Sequence, residues 1–153
     1  MEQDMEYRQQ LISEYRAKVE PLLKYLTWLT QKQGTRMVSI YGGEGISENS
    51  VPFPVYDGTL MSFIKDAQKT GLLDRNYVYV YSRNRIRSVA DEKRMIEQAE
   101  LKTFDILTGI LSKYVMGGMT KSTLWSQAVD EGIFMLVVQK MKDILEFWDK
   151  PLA

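Results

Sequence analysis

The residues with the most chemical potential stand between Arg75 and Arg87, in the run RNYVYVYSRNRIR. In an extended conformation Tyr77, Tyr79, Tyr81, Arg83, Arg85 and Arg87 project from one side and Val78, Val80 and Ile86 from the other, because strand side chains alternate. Such a ribbon sets phenol rings, on which bases can stack, beside guanidinium groups that take phosphates. These six residues are the candidate ligand-binding set, with nucleic acid or another anionic ligand as the partner. Ordinary packing accounts for the same row, since tyrosine is a good strand former and arginines pair locally or lie along apolar surface. A helix would dissolve the ribbon, because residues two apart do not share a helix face.

Other chemistry is thinly supplied. The 153-residue chain has no histidine and no cysteine. That removes the commonest general base, the usual zinc ligands, the thiolate nucleophile and any disulfide. An enzyme would have to work with carboxylate, lysine, tyrosine or serine, and no spacing marks such a site, so no catalytic, metal or cofactor residue is assigned. Glu97 and Glu100 share a helix face, yet the dimetal bundle pattern wants a histidine three residues after a glutamate. The cluster Gly42, Gly43, Glu44, Gly45 has neither a Gly-Lys-Ser/Thr continuation nor GxGxxG spacing, and reads as a turn in a loop spanning 42–56. Twenty Lys and Arg balance twenty Asp and Glu, so no net field draws the molecule to nucleic acid or membrane. The polar start MEQDMEYRQQ lacks the features of a secretory signal, and no run approaches the roughly 20 apolar residues of a membrane span. A cytoplasmic protein without membrane contact is predicted.

The elements that must position these residues are mostly helical. Leu101, Phe104, Leu107, Leu111, Tyr114 and Val115 recur at spacings of three and four, as do Phe134, Val137, Val138, Met141, Ile144, Leu145 and Trp148. Gly117, the expected C-terminal cap, and Gly118 turn the chain between these segments, with Thr120 or Ser122 capping the next helix and Gly132 bending or interrupting it. An earlier stripe through Leu11, Ile12, Tyr15, Val19, Leu22, Leu26 and Leu29 predicts a helix over about 5–31, with Pro21 forcing a break near Lys18 to Glu20. Asp57 caps a helix through Leu60, Phe63, Ile64 and Ala67 that stops at Gly71. Ser88 and Asp91 open a helix over about 89–116, whose exposed side carries Glu92, Lys93, Glu97, Glu100 and Lys102. Gly109 inside it marks a close approach. Val51 to Tyr56 reads as an extended lid whose prolines keep it from a central strand.

The run ILTGILSKYVMGGMTKSTLWSQAVDEGIFMLVVQKMKDIL, from Ile106 to Leu145, resembles the C-terminal part of a family of small bacterial proteins classed as a domain of unknown function. Thr108, Gly117, Gly118, Trp125, Ala128 and Gly132 carry the resemblance. Where relatives have an arginine-rich turn, this chain has Met116 to Met119. The resemblance implies a mostly helical bacterial protein and supplies no activity.

The expected architecture is therefore mainly α: a single-domain bundle of about five helices over 1–153, with short strands near 36–41 and 77–81. The leading functional expectation is a non-catalytic binding or protein-interaction domain that self-associates through apolar Met and Trp surfaces. Anionic-ligand or nucleic-acid binding through 75–87 is the second reading. A histidine-free enzyme is the third.

Overall fold

The computed structural model describes residues 2–34, 38–41, 53–56, 58–121 and 123–149. The expectations that rest on Gly42 to Gly45, Asp57 and Ser122 lie outside them.

The protein is mainly helical. Among the described residues the order is α1 (Glu2–Leu23), α2 (Leu26–Lys32), β1 (Val38–Tyr41), β2 (Phe53–Tyr56), α3 (Gly58–Lys69), α4 (Tyr77–Arg83), α5 (Val89–Gln98), a 3-10 turn (Leu101–Thr103), α6 (Phe104–Gly117), α7 (Thr123–Asp130) and α8 (Ile133–Asp149). Strand β1 pairs antiparallel with β2, Ile40 opposite Pro54. In a two-strand ladder each strand is an edge, which tolerates the proline that a central strand would refuse.

The apolar stripes meet in one cluster that draws on every helix from α1 to α8. Val19, Leu22, Leu60, Phe63, Leu107, Leu111, Phe134 and Val137 are at or near zero exposure. Their rings interlock: Phe63 lies 4.8 Å from Phe134 and meets Tyr25 edge-on at 5.3 Å.

There are eight helices among the described residues rather than five, and each extra break has a local cause. Pro21 is accommodated inside the last turn of α1, and the break falls later, at Lys24 and Tyr25, where the Tyr25 N–H donates to the Leu22 carbonyl in a tightened turn. The predicted helix over 89–116 is interrupted by Ala99, whose backbone is extended. Glu100 then starts a new cap, its N–H donating to Thr103 Oγ1 at 2.8 Å. Gly132, at φ +77°, separates α7 from α8.

The predicted strand at 77–81 is instead helix α4. Tyr77, Val80, Tyr81 and Asn84 are buried or half-buried while Val78, Tyr79, Ser82 and Arg83 are exposed, a three-and-four spacing that a strand cannot present to one neighbour. Gly109 of α6 is where α4 seats: a Cβ there would come within 2.8 Å of the Val80 side chain. Helix α4 ends in a Schellman motif, with Ile86 N–H donating to the Tyr81 carbonyl and Arg85 N–H to that of Ser82. Arg85 takes the left-handed position at φ 55°, where glycine is usual.

The Gly117 and Gly118 turn works by space, not by positive φ. Gly118 has φ −67°, and a Cβ on it would lie 2.0 Å from Trp125 Nε1. That indole N–H donates to the Val115 carbonyl at 3.0 Å, locking α7 onto α6.

Two substitutions should move stability in opposite directions. Arg85→Gly relieves the left-handed strain and is expected to stabilise by about 0.5–1 kcal/mol, whereas Gly118→Ala displaces Trp125 and should cost about 1–3 kcal/mol. Urea denaturation of both variants checks the signs.

Candidate functional site

Glu92 lies in the first turn of α5, where Ser88 accepts from the Asp91 N–H at 3.1 Å and the Asp91 carboxylate accepts from the Arg87 N–H at 3.0 Å. That last contact holds the Asp91 carboxyl below its ordinary range, helped by the Arg94 guanidinium. The helix start so fixed aims Glu92 inward. Expected on the exposed side, it is 1 % exposed instead.

Its carboxylate is fully engaged. Tyr114 of α6 donates to Oε1 at 2.5 Å, Tyr81 of α4 donates to Oε2, and Lys113 Nζ reaches Oε2 at 3.1 Å. The ammonium also lies 4.9 Å from the Tyr81 ring centre and 4.8 Å from that of Tyr114. Burial, reinforced by the bonds to Glu92, raises both phenols above their usual range. A similar pair joins α3 to the α1–α2 break: Tyr25 donates to Asp66 at 2.5 Å, and burial, then this bond, pushes the phenol up to about 12. These groups tie helices together, and both phenol protons of the Glu92 cluster already have their acceptor.

The six residues predicted as a ligand set do not form one ribbon. Tyr81 turns inward to Glu92, Tyr79 is 73 % exposed, and Tyr77 is half-buried. Arg83 pairs with Asp105 at 2.6 Å. Only the segment after α4 keeps the expected alternation: Ile86 is buried while Arg85 and Arg87 are exposed on either side of it. Among the described residues neither of those two guanidinium groups has an ion-pair partner.

The open feature lies elsewhere, where the start of α1 meets the end of α8. A groove of about 1140 Å³ runs between these helices and the Ala99 to Asp105 segment. Tyr15 stacks on Phe104 at 4.0 Å along its floor, with Leu101 and Ile144 beside them. Burial, with Asp105 nearby, raises the Tyr15 phenol. At the mouth the Arg8 guanidinium sits 4.4 Å above the Trp148 ring, and Phe147 meets Trp148 edge-on at 5.3 Å. Tyr7 is 68 % and Phe147 66 % exposed. None of the residues of the Glu92 cluster lines this groove.

Sequence reasoning missed the groove, although its residues carried a signal. Phe147 falls off the inward stripe of α8, and Met5 and Tyr7 lie before the inward stripe of α1 begins at Leu11 and Ile12. Among the described residues no group of three or more acidic side chains is placed to hold a metal ion, and no helix is long and apolar enough to cross a membrane.

The fold and the groove define a mainly helical protein with an open aromatic recess and a buried carboxylate, Glu92, bonded from two other helices. No family model, curated protein or solved structure matches the chain.

The Glu92 cluster and the Tyr25–Asp66 pair set a pH dependence. Tyr25, Tyr81 and Tyr114 keep their protons in the folded protein where the unfolded chain has lost them, so their contribution is complete below about pH 10 and declines as pH rises beyond it. Tyr81→Phe and Tyr114→Phe each leave Glu92 short of one donor and should cost about 1–3 kcal/mol at neutral pH. The loss should shrink at about pH 10.5, as the unfolded wild-type phenols ionise. Equal losses at both pH values in urea titrations would contradict this assignment.

Proposed function

We propose that the protein is a non-catalytic interaction module that engages its partner along the α1/α8 groove. The observation that carries this reading is the exposure of Tyr7, Phe147 and Trp148 beside an aromatic recess. Exposed large rings clustered at one recess mark interaction surfaces, whereas scattered exposed apolar side chains do not. The ionisable groups with altered proton affinity support the same view, because each is committed to a helix contact and none faces the recess except Tyr15. The resemblance of the 106–145 region to small bacterial proteins of unknown function adds no chemistry to this reading.

The apolar dye anilinonaphthalene sulfonate tests the recess. One saturable site is expected at low protein concentration, weakened at least about tenfold, a difference of about 1.4 kcal/mol, by Leu11→Asp with the helical circular dichroism unchanged. Absence of saturable binding, or binding indifferent to Leu11→Asp, counts against the reading.

A second reading is favoured by Arg85 and Arg87, which are exposed in the α4–α5 link without an ion pair among the described residues. There the protein would hold a phosphate-bearing strand. A gel shift with single-stranded DNA and RNA should then retard the nucleic acid at low salt, with affinity falling as salt rises and on Arg85→Ala plus Arg87→Ala. No retardation at low salt removes this reading.

A further inference from the structure

The groove carries its own prescription for what covers it. It is lined by three cationic side chains, Arg8, Lys102 and Lys140, and three carboxylates, Glu100, Asp105 and Asp143. Lys102 pairs with Glu100 and Asp105 with Arg83, which leaves Arg8, Lys140 and Asp143 without an ion pair among the described residues. A partner of one charge sign would meet like charge on this rim. A contact between identical surfaces about a two-fold axis suits both signs on one patch, because the cations of one copy can face the carboxylate of the other. We propose that the occupant of the groove is a second copy of this chain, so that the protein is a homodimer joined through its α1/α8 faces. The proposal rests on the interaction-module reading above and names the partner.

Shape points the same way. The face offers a projection and a recess side by side: Tyr7 and Phe147 stand out at 68 % and 66 % exposure next to the hollow floored by Tyr15, Phe104 and Ile144. A two-fold axis across the groove mouth places the projecting rings of each copy in the hollow of the other. The exposed parts of Tyr7, Phe147 and Trp148 supply on the order of 300–400 Å² of apolar surface per copy. A standard interface buries about 800 Å² per partner, with a polar rim around an apolar centre, so these rings suffice for the centre and the balanced charges for the rim. Lys140 is held at its rim position by donating to the Glu97 carbonyl at 2.8 Å, and Lys102 sits 3.5 Å from Glu100.

The test is sedimentation velocity of the full chain over about 1–200 μM, because a dimer must strengthen with concentration. Reversible dimerisation is expected, with Phe147→Asp and Tyr7→Asp each raising the dissociation constant at least about tenfold. Both positions are exposed, so unchanged circular dichroism, with an unchanged thermal midpoint at a dilution where the protein is monomeric, confirms that the fold survives. A second pair of variants, Lys140→Glu and Asp143→Lys, should each weaken the dimer, since each breaks the balance of signs. Monomer at every concentration overturns the proposal, as does a dimer indifferent to Phe147→Asp and Tyr7→Asp. Monomer that still takes the dye at one saturable site sinks the second-copy assignment alone and leaves the interaction-module reading standing. Monomer without dye binding sinks both.

Discussion

The burial of the Glu92 carboxylate is the constraint on which the middle of the molecule depends. An ionised carboxylate taken out of water costs several kcal/mol unless its oxygens are satisfied, and here the donors come from two other helices. Tyr81, Lys113 and Tyr114 must therefore arrive together, which fixes α4 and α6 against α5. Helix α4 has seven residues, too few to be stable by itself in water, so its conformation is decided by these contacts. Val80 has to face Gly109 while Tyr81 reaches Glu92, and consecutive side chains stand about 100° apart in a helix but on opposite faces of a strand. The tyrosine-rich run therefore coils, although tyrosine and valine favour strands in isolation.

The groove arises from helix lengths. Helices α1 and α8 run antiparallel, and beyond α1 the end of α2 is tied to the α7–α8 link, where Gly34 N–H donates to the Asp130 carbonyl at 2.9 Å and the Gln33 side chain packs on Gly132. At about 1.5 Å per residue α1 is about 33 Å long and α8 about 25 Å, against about 21 Å for α6 at the centre of the core. Where the start of α1 meets the end of α8, Tyr7, Arg8, Phe147 and Trp148 are exposed. Charge is arranged to match. Glu92 is buried against its half-exposed counter-ion Lys113, while the groove rim keeps both signs at the surface.

Glycine serves different ends along the chain. Gly132 supplies a left-handed residue between two helices, and Gly118 supplies only the absence of a side chain where an indole must lie. Arg85 shows the converse, a side chain kept at a backbone conformation that glycine would adopt more easily.

Much of this was legible from residue order. The inward stripes of α1, α3, α6 and α8 follow from spacings of three and four, except that Trp148 at the end of the last is exposed, and the Ser88 and Asp91 start of α5 and the close approach at Gly109 were readable from local chemistry. These features depend on residues near one another in the chain, so periodicity and capping decide them. The helix at 77–83, the break at Ala99, the inward turn of Glu92 and the groove could not be decided that way. A surface position in the first turn of a helix looks the same in sequence whether water or two tyrosines from distant segments surround it. The three-and-four spacing of Tyr77, Val80, Tyr81 and Asn84 was present in the chain beside an equally good two-residue alternation. Only the packing of α4 on α6, and the need of a buried carboxylate for donors, selected between them.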